Sequence, residues 1–151
     1  MDTVFIKMAP PEPTAKKIAQ FVYKPVPVDM GEYYNEAGGC IHEDCLVVMQ
    51  DGSRKHIKEI KKGDKVKGGI VKCIVKTKVF DYVEMVKIGD LIITPWHPIK
   101  MDNEWIFPCQ CPNSIKSRMF IETYYNFVME EGYSLTCENT ECIGLGHNMN
   151  D

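Results

Sequence analysis

Cys40-Ile41-His42-Glu43-Asp44-Cys45-Leu46-Val47-Val48-Met49, preceded by Ala37-Gly38-Gly39 and followed by Asp51-Gly52, is the stretch on which the reading of this chain turns. The apolar run Leu46 to Met49 with an Asp-Gly turn behind it predicts a strand entering a turn. The small residues before Cys40 let another group approach the Gly39 carbonyl without a side-chain clash. A cysteine at the head of a strand is usually a small buried hydrophobe. Here it is followed far downstream by Thr94-Pro95-Trp96-His97-Pro98 and by Gly146-His147-Asn148. A cysteine behind Gly-Gly, a Thr-x-x-His and a late His-Asn together point to chemistry on the chain's own backbone. In that chemistry Cys40 attacks the carbonyl carbon of Gly39 and converts the peptide bond into a thioester. The thiol reaches its neighbour's carbonyl through a small ring, so effective concentration is high and no binding step is needed.

Working outward, the rest of the chain is strand-like. Val71, Cys73, Val75, Thr77 and Val79 alternate with Lys72, Ile74, Lys76 and Lys78, the pattern of a half-buried strand. Val83 to Ile88 and Leu91 to Thr94 flank Gly89-Asp90, and Ile99 to Met101 and Glu104 to Ile106 flank Asp102-Asn103, which predicts two hairpins. Met119 to Met129 and Tyr133 to Cys137 complete the predicted strands. Helix is sparse: one turn around Ile57 to Lys61, and a short helix capped by Thr14 in an arm bounded by Pro10, Pro11, Pro13, Pro25 and Pro27. Trp96 and Trp105 read as core or cleft walls, and His42 and His56 as exposed loop residues.

The chain has 151 residues, suited to one domain plus a tail, with a net charge of -3. That balance gives no electrostatic reason to expect nucleic-acid or membrane binding. The basic run from Arg54 to Lys67 is partly offset by Glu59 and Asp64 and reads as a solvated strand face or turn. No apolar run reaches the ~18 residues of a membrane span, and the N-terminus lacks a signal-peptide core, so a cytoplasmic monomer is expected. The seven cysteines fit no common zinc spacing. Reduced, mostly buried thiols are the expectation, with no metal and no cofactor. Cys45 reads as strand packing, close enough to Cys40 for a regulatory disulfide to be an alternative. A bridge from Cys109 or Cys111 to the Cys137 region is the other alternative.

The ordered series of blocks resembles the Hint superfamily of inteins, hedgehog autoprocessing domains and bacterial intein-like domains. It is most similar to the Vint branch, associated with von Willebrand A proteins. The resemblance covers Gly38 to Asn148 and rests on the Cys40 block, Gly63-Asp64-Lys65-Val66, Leu91 to Pro98, Tyr125-Asn126-Phe127-Val128 and Glu141 to His147. It implies an all-β horseshoe with pseudo-twofold symmetry, carrying a short N-terminal arm with one helix. The division is an upstream flank at 1–39, the autoprocessing domain at 40–148 and a C-terminal flank at 149–151. The catalytic residues it implies are Cys40, Thr94 and His97, with the scissile bond between Gly39 and Cys40. His97 is expected to contact the Cys40 amide nitrogen and protonate the leaving amine. Thr94 is expected to bond the backbone around that bond or help hold the oxyanion.

His147-Asn148 matches the dipeptide whose asparagine cyclises in inteins, making C-terminal cleavage a candidate reaction; the alternative is that Asn148 is a turn residue. Splicing is not expected. Met149 stands where an acyl-accepting Cys, Ser or Thr is needed, Tyr133 where many inteins have a histidine, and Asn126 where they often carry Asp. Sterol transfer of the hedgehog kind is not expected either, because the chain stops just past Asn148. The expected substrate is the chain's own N-terminal segment, and the acceptor is water, a thiol, an amine or an alcohol. The rival reading is a degenerate Hint-like interaction module that no longer cuts. Its mark would be a missing nucleophile, threonine or histidine, and all three are present.

Overall fold

The structure is a computed structural model that describes residues 27, 28, 30 and 40–145. The expected helix after Thr14, Gly39 and the His147-Asn148 pair lie outside the described residues. Within them the chain is built of strands: β1 (Ile41–His42), β2 (Leu46–Val48), β3 (Arg54–His56), β4 (Lys65–Val66), β5 (Gly69–Ile88), β6 (Leu91–Ile93), β7 (Ile99–Met101), β8 (Glu104–Ile106), β9 (Ile115–Glu131), β10 (Ser134–Cys137) and β11 (Thr140–Ile143). Two short 3-10 turns, Ile57–Glu59 and Pro108–Gln110, interrupt them. One sheet runs β4-β5-β6-β1-β9, with β9 also paired to β5, so these strands close on themselves. The other runs β3-β2-β10-β11-β7-β8.

The long β5–β9 ribbon is the spine, pairing from Ile70↔Glu131 to Lys87↔Ile115. Two strands are predicted for 71–79 and 83–88, and here the structure differs. They form a single 20-residue strand. The step between them is a bulge, with the register shifting between Lys78 and Asp81 and Phe80 at φ 48. A bulge of this kind bends a strand without ending its pairing. β9 likewise extends beyond its predicted apolar stretch, because Lys116 to Arg118 are held by ladder bonds to β5 rather than by burial.

Both predicted hairpins form. Gly89 has φ 60 between Ile88 and Leu91, the first position of a type II′ turn. Asp102 and Asn103 at φ 51 and 66 make a type I′ turn joining β7 to β8. A third hairpin, also of type I′ with Glu138-Asn139 at φ 48 and 70, joins β10 to β11. The basic run is indeed largely solvated, and Lys55 pairs with Asp64 at 3.2 Å. His42 and His56 are not loop residues: both lie in strands and are half-buried, since β1 and β3 are each pinned by neighbours.

The main core gathers Ile41, Val47, Ile57, Val71, Ile93, Phe127 and Leu135 with their neighbours between the two sheets. A smaller cluster holds Cys40, Met85, Ile121 and Tyr124, against which Val79, Val83, Ile92 and Met119 pack. Trp105 joins Met30 and Ile143 in a third, where the Val28 N–H donates to the Trp105 carbonyl at 2.7 Å. Among the described residues no helix is long and apolar enough to cross a membrane.

Candidate active site

Cys40 immediately precedes β1, the short strand held between β6 and β9. Ile41 pairs with Ile93 on one side and with Tyr125 on the other, and His42 pairs with Tyr124. Continuing that register sets Cys40 opposite Thr94. The Thr94 N–H donates to the Cys40 carbonyl at 3.0 Å, as an antiparallel ladder requires. The return bond is unusual. The Cys40 N–H donates to the Thr94 hydroxyl, Oγ1, at 2.9 Å rather than to the Thr94 carbonyl. That carbonyl instead accepts from the His97 N–H at 3.4 Å, closing a turn across Pro95. Pro95 has no N–H to extend the ladder, so the strand ends and turns there. Thr94 and His97 therefore share one turn, packed against the start of β1.

Thr94 and His97 are 4% and 0% exposed, and Cys40 is fully buried. His97 Nε2 lies 2.7 Å from the Ile143 carbonyl. A carbonyl only accepts, so the contact assigns the proton to Nε2 and leaves Nδ1 as the basic nitrogen of the neutral ring. Burial pushes the Cys40 thiol well above the ordinary thiol range, and the nearby Thr77 hydroxyl draws it partly back. Tyr124 is pushed up to about 12 by burial and then by the neighbouring Cys40.

Side chains alternate faces along a strand. The register pairs Val75 with Asn126 and Thr77 with Tyr124, and Tyr124 with His42. One sheet face therefore carries Thr94, Cys40, Asn126, Tyr124 and Thr77. The motif reading picks out Cys40 and Thr94 on this face and singles out Asn126, but gives no role to Thr77 or Tyr124. Thr77 carries a legible signal, a hydroxyl in the buried phase of an otherwise apolar alternation. Asn126 is buried, and its Oδ1 accepts from the Phe127 N–H at 2.8 Å. The chain beyond β11 is led back to this region: the Gly144 N–H donates to the Tyr133 carbonyl at 2.8 Å and the Leu145 N–H to the Phe127 carbonyl at 2.7 Å.

All seven cysteines lie among the described residues, and none is joined to another in a disulfide. Cys45 packs in the main core with its sulfur 3.6 Å from the Ile92 carbonyl. Cys137 and Cys142 lie together on the β10–β11 hairpin, fully buried. Among the described residues no group of three or more His, Cys, Asp or Glu side chains could hold a metal ion.

Comparison with known proteins places these features in a wider setting. A family model described as Vint, Hint-domain, matches residues 39–151. No curated protein matches the chain in sequence. In structure the chain is similar to a DnaB intein from Synechocystis sp. PCC 6803, at 13% identity and a TM-score of 0.55 over 71% of this chain and 99% of that one. It is similar to the same degree, TM-score 0.55, to a bacterial intein-like domain from Clostridium thermocellum, at 15% identity over 70% of this chain and 97% of that one. At these identities the likeness speaks for the fold alone.

Proposed function

The chain belongs to the Vint family of Hint domains, and from that premise we propose that it processes itself at the Gly39–Cys40 bond, with Cys40 as nucleophile. The observation that carries this reading is the bond from the Cys40 N–H to the Thr94 hydroxyl at 2.9 Å. That nitrogen is the leaving group of the reaction, and it is held by the side chain of the Thr-x-x-His motif. A buried N–H is costly to leave unpaired, so a side chain rather than the ladder fixes where this nitrogen sits.

The steps balance as an isomerisation. The Cys40 Sγ–H bond gives up its proton, sulfur bonds the Gly39 carbonyl carbon, and the C–N bond breaks toward the Cys40 nitrogen, which ends protonated as an amine. His97 is the relay. With Nε2 anchored on the Ile143 carbonyl, Nδ1 takes the thiol proton and returns it to the leaving nitrogen. Thr94 grips Cys40 by both its N–H and its carbonyl, which keeps the nucleophile from drifting as the bond breaks. The thioester is resolved by water or by a thiol, amine or alcohol acceptor, releasing or transferring the segment before Cys40. Splicing is not part of the reading, because the Met149 thioether cannot accept an acyl group.

An intact-mass time course of the full chain with and without dithiothreitol tests this. The expected result is thiol-accelerated appearance of fragments 1–39 and 40–151. An unchanged mass with Cys40 demonstrably reduced would leave a non-cleaving Hint module as the better description.

A further inference from the structure

The nucleophile has a neighbour that the motif does not name. Thr77, on β5, is 1% exposed, and its hydroxyl oxygen finds no hydrogen-bond partner among the described residues. A buried hydroxyl without a partner is costly, and such a group calls for an explanation. It sits directly across the ladder from Tyr124, which packs against Cys40. The hydroxyl lies close enough to the Cys40 sulfur to draw its thiol pKa down, though not in a formed hydrogen bond. The same cluster brings Met85 and Ile121 to Cys40, with Val79 and Val83 packed against them.

We propose that Thr77 is a positioning residue for the Cys40 sulfur, its hydroxyl donating to the sulfur as negative charge develops there. This rests on the reading of Cys40 as the nucleophile. A hydrogen bond that is loose in the resting thiol and tightens on the thiolate favours the transition state over the ground state. Thr77 keeps its own proton throughout. The proton leaving the sulfur travels to the Cys40 nitrogen, so the hydroxyl adds no step to the reaction. The resting cost of the unpartnered hydroxyl is then offset only when the thiolate forms.

The test uses the full chain with Thr77→Val, Thr77→Ala and Thr77→Ser. Each cysteine's alkylation by iodoacetamide is followed separately by peptide mass spectrometry, alongside dithiothreitol-induced cleavage. Thr77→Val and Thr77→Ala are expected to slow Cys40 alkylation and cleavage together by roughly tenfold to a hundredfold, the worth of a hydrogen bond to a charged group. Thr77→Ser restores both rates to within about threefold. The buried Cys137 and Cys142 serve as internal controls and keep their wild-type labelling. Faster labelling of Cys137 and Cys142 in both the Val and the Ala variants would assign Thr77 to packing and overturn the proposal. Unchanged Cys40 alkylation in both would also overturn it. Slower Cys40 alkylation in a protein that never cleaves would uphold the hold on sulfur and sink the self-processing reading instead.

Discussion

Thr94 and Cys40 are joined by two hydrogen bonds, one through the Thr94 hydroxyl at 2.9 Å and one through the Thr94 backbone N–H at 3.0 Å. The substitution of a hydroxyl for a ladder carbonyl leaves the Thr94 carbonyl to close the turn that carries His97. A strand end, a motif and the Cys40 peptide nitrogen are thereby tied into one local geometry.

Thr94→Val keeps the shape and removes the acceptor, leaving the Cys40 N–H buried and unpaired. Chemical denaturation should record a loss of about 1–3 kcal/mol. Thiol-induced cleavage should slow roughly a hundredfold as the nucleophile loses its fixed position. Thr94→Ser, which retains the hydroxyl, should recover most of both.

The proton relay predicts a pH signature. If His97 carries the proton from sulfur to nitrogen, no proton is exchanged with solvent, and the rate of hydroxylamine-trapped cleavage should be nearly flat from about pH 7.5 to about pH 9. In His97→Gln the rate should fall ~100- to 10,000-fold. It should then climb roughly tenfold per pH unit, following the thiolate fraction of a thiol whose pKa burial has raised. A wild-type rate that climbs as steeply as the variant's would remove His97 from the relay.

The buried thiols also make the fold alkali-sensitive. Burial pushes Cys45 from 9.0 up to about 12. Cys137 is raised as well, by its hydrogen bond with Cys142 and by burial. Once the pH passes 9.0, the ordinary thiol value, the unfolded chain releases protons that the folded chain still holds. The stability contributed by these groups is therefore full below that point and is lost as pH rises toward the folded value near 12. Urea midpoints should drop steadily from about pH 9 to about pH 10.5, and Cys45→Val should shallow the slope.

At the far end of the ribbon Gly69 has φ 150, and a Cβ there would overlap the Glu131 carbonyl oxygen. Gly69→Ala must push β5 and β9 apart where they begin to pair. A loss of about 3 kcal/mol or more is expected in thermal or chemical unfolding. Gly52, with open space around it but φ 90, should cost less on the same substitution.

What was readable before the fold is known follows from how local each signal is. The turns at Gly89-Asp90 and Asp102-Asn103 carry their own backbone chemistry, so their hairpins are legible residue by residue. The Glu138-Asn139 hairpin has a weaker mark, Asn139 alone, and passes unread. The continuity of β5 through Phe80 is not local at all. An exposed aromatic at positive φ and a run of polar residues resemble a break, and only pairing with β9 carries the strand across. The site divides the same way. Cys40, Thr94 and His97 stand out as motif residues with their own neighbours. Thr77 and Tyr124 reach Cys40 only because the β5–β9–β1 register brings them onto one face.

The most direct measurement identifies the bond that breaks. The full chain is treated with hydroxylamine, and the products are sequenced by mass spectrometry beside Cys40→Ala. The prediction is a hydroxamate on Gly39, a partner fragment beginning at Cys40, and neither product in Cys40→Ala. Cleavage at any other bond, or equal cleavage in Cys40→Ala, would contradict a thioester at the Gly39–Cys40 junction.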